Sequence, residues 1–398
     1  MYSALELNVH GLFAMVCLPV LWFMDKMLGL SPPINPLEKN LCGYVAIVTG
    51  GNTGVGRETA LGLARGGAAV IIGCRSASRG AAAAESLRRE LHAACPKQHP
   101  WARSGSVTCL PLDLSSFLSI AAFASSFSAK FAHLDILVNN AGLNKQSVNS
   151  NGLQELFMVN YLGHYLLFRL LEPALTTRNA TFDLNDREHD SEARVVNVSS
   201  LMHHVGNSDF EKSAFTKYSK GLGSYYADSK LYMNYLTIEI NKRFLLRAPS
   251  SKGRKISAIS VNPGAVRSDI WRHVPAYKKY PYDLFMRAYF LTVEQGAATS
   301  LFGATAKIYV DEPILPSPLL PYVVPYRVHF GWLAFEALGP FGGAIFATPS
   351  LPPDSVEKAL ELWRFSRDVI NQIISSCEES SDKKLIIQTL SLSNEVMS

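Results

Sequence analysis

From residue 44 onward, short apolar runs alternate with longer stretches whose apolar positions recur every three or four residues. The short runs, bounded by turn residues, read as buried strands, and the longer stretches read as helices. On this pattern residues 44–49, 69–74, 107–112, 135–139, 194–199 and 255–261 are strands, with a seventh near 343–347. Helices are expected at 54–66, 81–94, 116–131, 152–172 and 224–247, the fourth with an internal glycine and stopped by Pro173. Strands and helices in strict alternation predict a parallel sheet with helices on both faces.

Four stretches break the rhythm. Residues 313–339 are apolar and aromatic and hold five prolines, which argue against an internal helix or a central strand over the first half. Such a stretch either meets a membrane or the path of substrate access, or folds as a flap over the domain. Residues 177–192 are polar and acidic and read as a surface loop. After Cys377 a polar run, 378–382, reads as a poorly ordered tail, with a short helix near 385–390.

The fourth is the N-terminus. Residues 11–24 carry no charge over 14 positions, and Asp25-Lys26 then interrupts. A spanning helix needs about 20 apolar residues, and a flank with Glu6 but no Lys or Arg is a poor secretory leader. The segment reads as a membrane anchor, monotopic or a marginal span, against the alternative of a helix docked on the core. The division is thus 1–36 anchor and stiff linker, 37–376 one folded domain with the insertion 313–339, and 377–398 tail.

Composition narrows the function classes. The chain of 398 residues is 48% hydrophobic and 18% charged, with a net charge of +5 spread along it and no basic run, so a nucleic-acid partner is not expected. Six scattered cysteines (Cys17, Cys42, Cys74, Cys95, Cys109 and Cys377) show no Cys-x-x-Cys and no His at metal spacing, so neither a disulfide framework nor a zinc site is expected. A reducing compartment suits the folded domain. Asn179 and Asn197 head glycosylation-type triplets, but the second lies in a predicted strand and both read as chance matches.

Two motifs carry chemistry. The first strand runs into Thr49-Gly50-Gly51-Asn52-Thr53-Gly54-Val55-Gly56 and then a helix. Glycines there permit a tight turn and close backbone approach, and the helix N-terminus offers N–H groups to a pyrophosphate. The second strand ends at Gly73-Cys74-Arg75, where a site for an unphosphorylated ribose would carry Asp or Glu. Arg75, with Arg79 or Arg57, can instead pair a 2′-phosphate, which favours NADP(H). Asp113 is placed either to meet the adenine edge or to cap the next helix. Farther on, Tyr226 and Lys230 lie one turn apart on a predicted helix, where a lysine ammonium should lower the phenol's pKa and make it an acid/base group.

Thr49–Gly56, Asn139-Asn140-Ala141-Gly142, Asn197-Val198-Ser199-Ser200, Tyr226…Lys230 and Pro263-Gly264 occur in the order and spacing of the short-chain dehydrogenase/reductase family, which this chain resembles. Gly73-Cys74-Arg75, Asn160-Tyr161-Leu162-Gly163-His164 and Ser229-Lys230-Leu231 are similar to its retinol dehydrogenase-like branch. The resemblance implies a doubly wound α/β sheet (Rossmann fold) and hydride transfer between NADP(H) and a lipophilic alcohol or carbonyl. It implies Tyr226 as general acid/base, Lys230 as the cation that lowers its pKa, and Ser200 as hydrogen-bond donor to the substrate oxygen, with Ser199 its structural neighbour or its substitute. Asn160 aligns with the residue that organises a water relay. Gly50, Asn52, Thr53, Gly54, Val55, Gly56, Arg75, Asp113, Leu114, Asn140, Ala141, Gly142, Pro263, Gly264, Val266 and Ser268 would line the cofactor cleft; Ser268 stands where the family usually has Thr. Attachment to the endoplasmic reticulum or another endomembrane is implied, as is a homodimer through helices like 152–172 and 224–247. Against this stand an idle NADP(H)-binding scaffold and a soluble reductase of small carbonyls.

Overall fold

The computed structural model describes residues 40–93, 101–149, 152–177, 192–216, 225–246, 254–267, 290–306, 321–325, 344–347 and 351–376. The predicted anchor, the acidic loop from 178 to 191, the tail and most of 313–339 lie outside them. Among the described residues no helix is long and apolar enough to cross a membrane.

The chain begins with β1 (Val45–Thr49), α1 (Gly54–Arg65), β2 (Ala69–Cys74), α2 (Ala77–His92), β3 (Ser106–Pro111), α3 (Phe117–Ser128) and β4 (Ile136–Asn139). A single turn at Glu155–Phe157 and a π-helical turn at Met158–Leu162 lead into α4 (Gly163–Thr176). Then come β5 (Glu192–Val198), a 3-10 turn at Leu201–Val205, α5 (Phe210–Phe215), α6 (Tyr225–Ile240) with a π turn at Asn241–Leu245, and β6 (Lys255–Val261). The last elements are α7 (Val293–Thr305), β7 (Tyr322–Pro325), β8 (Ala344–Ala347) and α8 (Ser355–Ser376). The sheet order is β3-β2-β1-β4-β5-β6-β7-β8, with β1 to β7 parallel and β8 antiparallel to β7. This is the expected doubly wound sheet, and the strand order reverses between β1 and β4, where such sheets open a crevice at their carboxyl ends.

Three expectations need correction. The proline-rich stretch does contain an internal strand: Pro321 and Pro325 bracket β7, so only Tyr322, Val323 and Val324 must donate within it, and β7 pairs with both β6 and β8. The strand near 343–347 is consequently the antiparallel edge. Pro173 does not stop α4, which runs on to Thr176. Pro173 is exposed, and the carbonyls of the last turn find partners elsewhere: Leu134 N donates to Ala174 O at 2.9 Å and Arg254 Nε to Leu175 O at 2.9 Å. The helix predicted at 152–172 is not continuous, because the π turn interrupts it.

Apolar side chains fill both faces. One side packs Phe157, Tyr161, Tyr165, Phe168 and Tyr232 under α3, α4, α6 and α8, while the other packs Val48, Leu61, Leu63, Ile72 and Ile259 under α1, α2 and α7. Helix α8 covers α4 and α6: Trp363 meets Tyr165 edge-on at 4.9 Å, with the guanidinium groups of Arg243 and Arg169 4.7 and 5.2 Å from its ring. Every residue of α6 is buried except Tyr226, which is half-buried at the cleft, and so is α4 apart from Pro173 and Thr176. Within the helices through which a homodimer was expected, residues 163–172 and 227–240 are buried.

Two polar systems hold the strands in line. Near the carboxyl ends, Asn139 Nδ2 donates to Asn197 Oδ1 (2.8 Å), Asn197 Nδ2 to Thr237 Oγ1 (2.8 Å), and Thr237 Oγ1 lies 2.8 Å from Ser260 Oγ. At the opposite rim the carboxylate of Asp135 accepts from Val45 N at 2.7 Å and from Arg254 Nη1 at 2.8 Å. Burial alone would raise the Asp135 pKa, but His133, Arg254 and Val45 N outweigh it and hold it below the ordinary value. A depressed carboxylate contributes stability above its unfolded pKa and loses it as pH falls through the folded value. Asp135→Ala removes the buried carboxylate to which Arg254 Nη1 and Val45 N donate and should destabilise the fold by about 3–5 kcal/mol in urea unfolding. The wild-type advantage should fade below about pH 4; equal stability at pH 7 would refute this role.

Candidate active site

The site is built at the carboxyl ends of β1, β4 and β5. Strand β1 ends in Thr49, and Gly50 and Gly54 then take φ of +66° and +60°, a backbone L side chains rarely adopt. Thr53 precedes α1 in extended conformation without a side-chain cap, and the first turn carries no acidic residue. The helix thus presents uncapped N–H groups and its positive end to the cleft, an arrangement suited to a pyrophosphate. Thr49 Oγ1 accepts from Asn140 N and Ala141 N, both at 2.9 Å, while Asn140 Nδ2 donates to Thr49 O at 2.8 Å. Asn140 in turn requires Gly56, where a Cβ would fall 2.2 Å from Asn140 Nδ2.

A cleft of about 720 Å³ runs from this turn to Tyr226. Of the residues expected around it, it is lined by Gly50, Asn52, Thr53, Gly54, Val55, Gly56, Arg75, Asp113, Leu114, Asn140, Ala141, Gly142, Ser200, Tyr226, Lys230, Pro263, Gly264 and Val266. Ser268 lies outside the described residues. Asn160 is buried behind the wall: its Oδ1 accepts from Leu143 N (2.9 Å), and its Nδ2 donates to Leu143 O (3.0 Å) and Ser229 Oγ (3.1 Å).

The geometry separates residues the sequence left ambiguous. Ser199 is buried and donates to Lys230 O at 3.0 Å, whereas Ser200 lines the cleft and hydrogen-bonds the Tyr226 hydroxyl. Arg57 turns away to Glu58 and Glu90, while Arg75 and Arg79 line the cleft. The Asp113 carboxylate accepts from Ser115 N and Oγ at 2.9 and 2.6 Å, and Ser116, not Asp113, caps α3.

The pattern of short chain dehydrogenases matches residues 44–279. The chain belongs to the short-chain dehydrogenase family. Human retinol dehydrogenase 11 is 37% identical over 73% of this chain and 82% of its own length; bovine retinol dehydrogenase 12 is 37% identical over 68% and 76%. Mouse polyprenol dehydrogenase is 32% identical over 69% and 74%. A crystal structure of an uncharacterized protein from Mycobacterium paratuberculosis shares the fold, with a TM-score of 0.57, 24% identity, and coverage of 84% of this chain and 95% of that one. This short-chain dehydrogenase is an oxidoreductase for CH–OH groups that uses a nicotinamide cofactor. The open α1 terminus, the glycine turn and the arginines at the far end of the cleft fit such a dinucleotide.

The acid/base pair differs from its sequence expectation. Lys230 does not depress the phenol here; burial pushes Tyr226 up to about 12, and the hydrogen bond from Ser200 only partly opposes it. Lys230 Nζ donates to Val198 O at 2.8 Å and lies 5.7 Å from the Tyr226 ring centroid. Its own pKa is lowered by burial to about 8. Helical spacing alone predicted the encounter, whereas burial of both groups decides the sign.

Residues that motif reasoning did not single out for the site include Leu143, Lys145, Glu155, Val159 and Met202 in the cleft wall, and Thr49 and Ser229 behind it. Leu143 and Met202 lie within two residues of motif positions, which was the available signal. Val159 adjoins the motif position Asn160 and shared that signal, whereas Glu155, one turn earlier, had none.

The buried ammonium costs stability in full below about pH 8; between that value and 10.5 the unfolded chain holds a proton the folded chain lacks, so stability rises with pH across the window. Lys230→Met should therefore stabilise the cofactor-free protein at pH 7 by about 1–3 kcal/mol and flatten the rise. A variant less stable than wild type at pH 7 would contradict the charge penalty.

Proposed function

We propose that this short-chain dehydrogenase transfers hydride between NADP(H) and a lipophilic alcohol/carbonyl pair of the retinoid, sterol, polyprenoid or long-chain aldehyde type. The observation that carries the reading is the shared cleft, in which Tyr226 and Ser200 meet at one end while Arg75 and Arg79 stand at the other. When bound, the nicotinamide gives or takes the hydride. Tyr226, kept protonated, gives its proton to a carbonyl oxygen during reduction; in oxidation its phenolate form would take the proton of the alcohol. Ser200 donates a hydrogen bond to the same oxygen. Lys230 is held by Val198 O beside Gly142, where it faces the cleft next to Tyr226. Asn160 secures Leu143 against α6 and keeps this wall in register.

Arg75 and Arg79 favour a cofactor with a 2′-phosphate, since no carboxylate closes β2 to receive the ribose hydroxyls. Leu143, Val159 and Met202 give the cleft an apolar side suited to a lipophilic substrate. The relatives named for retinol and polyprenol support the same class. The apolar residues 11–24 support attachment to an endomembrane, with the domain in a reducing compartment. A homodimer through α4 and α6 would first have to displace α8.

Purified protein with NADPH should reduce a member of a panel containing retinal, a sterol ketone and long-chain aldehydes. Tyr226→Phe should lower turnover about a hundredfold or more while retaining NADPH binding. Arg75→Glu should weaken the preference for NADPH over NADH about tenfold. Wild-type inactivity across the panel, or full activity in Tyr226→Phe, would overturn the catalytic reading. Removing residues 1–36 should shift the protein from the membrane to the soluble fraction, and unchanged fractionation would defeat the anchor.

A further inference from the structure

His164 stands in the Asn160–His164 motif, yet nothing above gives it a task. It is fully buried in the first turn of α4, with one ring nitrogen facing each half of the site. Nδ1 lies 3.2 Å from Asn160 O and Nε2 lies 3.0 Å from Thr49 Oγ1. A carbonyl only accepts, so Nδ1 carries the proton and Nε2 accepts from the Thr49 hydroxyl. Thr49 Oγ1 already accepts from Asn140 N and Ala141 N; the other acceptor for its one proton, Val138 O, is farther away at 3.3 Å. The Thr49 hydroxyl is thereby fully used, and its direction is set by the imidazole.

The same ring acts on the other side through the π turn. Its bond to Asn160 O anchors the irregular turn Met158–Leu162, and π turns of this kind recur at functional sites. The Asn160 side chain in turn holds Leu143 and Ser229, the residue before Lys230 on α6. A continuous line of bonds therefore runs from the glycine turn, through Thr49, His164 and Asn160, to the helix carrying Tyr226.

We infer that His164 is a positioning residue that couples the dinucleotide-binding turn to the catalytic helix by bridging Thr49 and the Asn160 carbonyl. The inference rests on the nicotinamide-binding reading for its functional consequence but not for its geometry. Burial holds the imidazole neutral, its pKa pushed down to about 3 despite the bond to Asn160 O, with the Lys230 charge acting in the same direction. A protonated ring could not accept from Thr49, so neutrality suits the bridge.

Three substitutions dissect the two bonds. His164→Phe keeps the ring and loses both; His164→Asn retains a donor for Asn160 O; His164→Gln retains an acceptor for Thr49. His164→Phe should bind NADPH about tenfold more weakly and turn over about tenfold more slowly. His164→Gln should recover NADPH binding but not kcat, and His164→Asn should recover kcat but not binding. In the cofactor-free proteins, hydrogen exchange should quicken at the Asn140 and Ala141 amides in the Phe and Asn variants, and at the Leu143 amide in the Phe and Gln variants. If all variants kept wild-type binding, kcat and exchange, the inference would fail. It would fail equally if the Asn and Gln variants lost both functions alike, in step with their melting temperatures. Should His164→Phe not fold, the Asn and Gln pair still decides; should wild type not bind NADPH, the cofactor reading falls while the exchange measurement still judges the bridge.

Discussion

In a parallel sheet covered on both faces, the polar side chains buried just behind the carboxyl edge are cut off from water. They must find partners within the protein. Most of this demand is met by side chains that reach across strands: Asn139 to Asn197, Asn197 to Thr237, and Thr237 to Ser260. Thr49 does the same for the backbone after β4. Because these bonds have narrow geometry, they fix the relative height of β1, β4, β5 and α6. The glycine turn and Tyr226 are placed by this network, and the cleft between them is its consequence.

The chemistry of the site is held against its own stability. Tyr226 and Lys230 sit where burial disfavours the charged form of each, and in the cofactor-free protein the phenol is correspondingly hard to ionise. Asp135 and Arg254, equally buried at the opposite rim, neutralise one another, so that end of the sheet contributes rigidity where the catalytic end stores strain in charge. The division of labour between the two rims follows from which buried charges have partners.

Much of this was legible in the residues themselves. Strands such as 69–74 and 255–261 carry dense β-branched and apolar runs, and the glycine turn between a strand and a helix specifies its own backbone. Local rules did less well where tertiary partners overrode them. Pro173 should end a helix, yet α4 runs on to Thr176, and the carbonyls of that last turn take donors from Leu134 and Arg254. The strand bracketed by Pro321 and Pro325 is too short to show a period. Periodicity could not reveal the π turn at Met158–Leu162, since one extra residue in a turn leaves both flanking patterns intact. The direction of the Tyr226 shift was missed because spacing reports which groups meet and says nothing of how little solvent surrounds them. Ser199 and Ser200 are chemically identical neighbours, and only the alternation of the strand end sends one to Lys230 O and the other to the cleft.

Helix α8 closes over α4 and α6 from far along the chain, and the hydroxyl of Tyr161, inside the π turn, is paired with Ser366 at 2.8 Å. A polypeptide emerges from its N-terminal side, so β1 and the glycine turn are made long before Trp363 and Ser366 exist. Until those residues arrive, the aromatic cluster around Tyr161, Tyr165 and Phe168 lacks its cover and stays open to wrong contacts. Synthesis of this chain therefore contains an interval between the making of the cleft residues and their enclosure by α8.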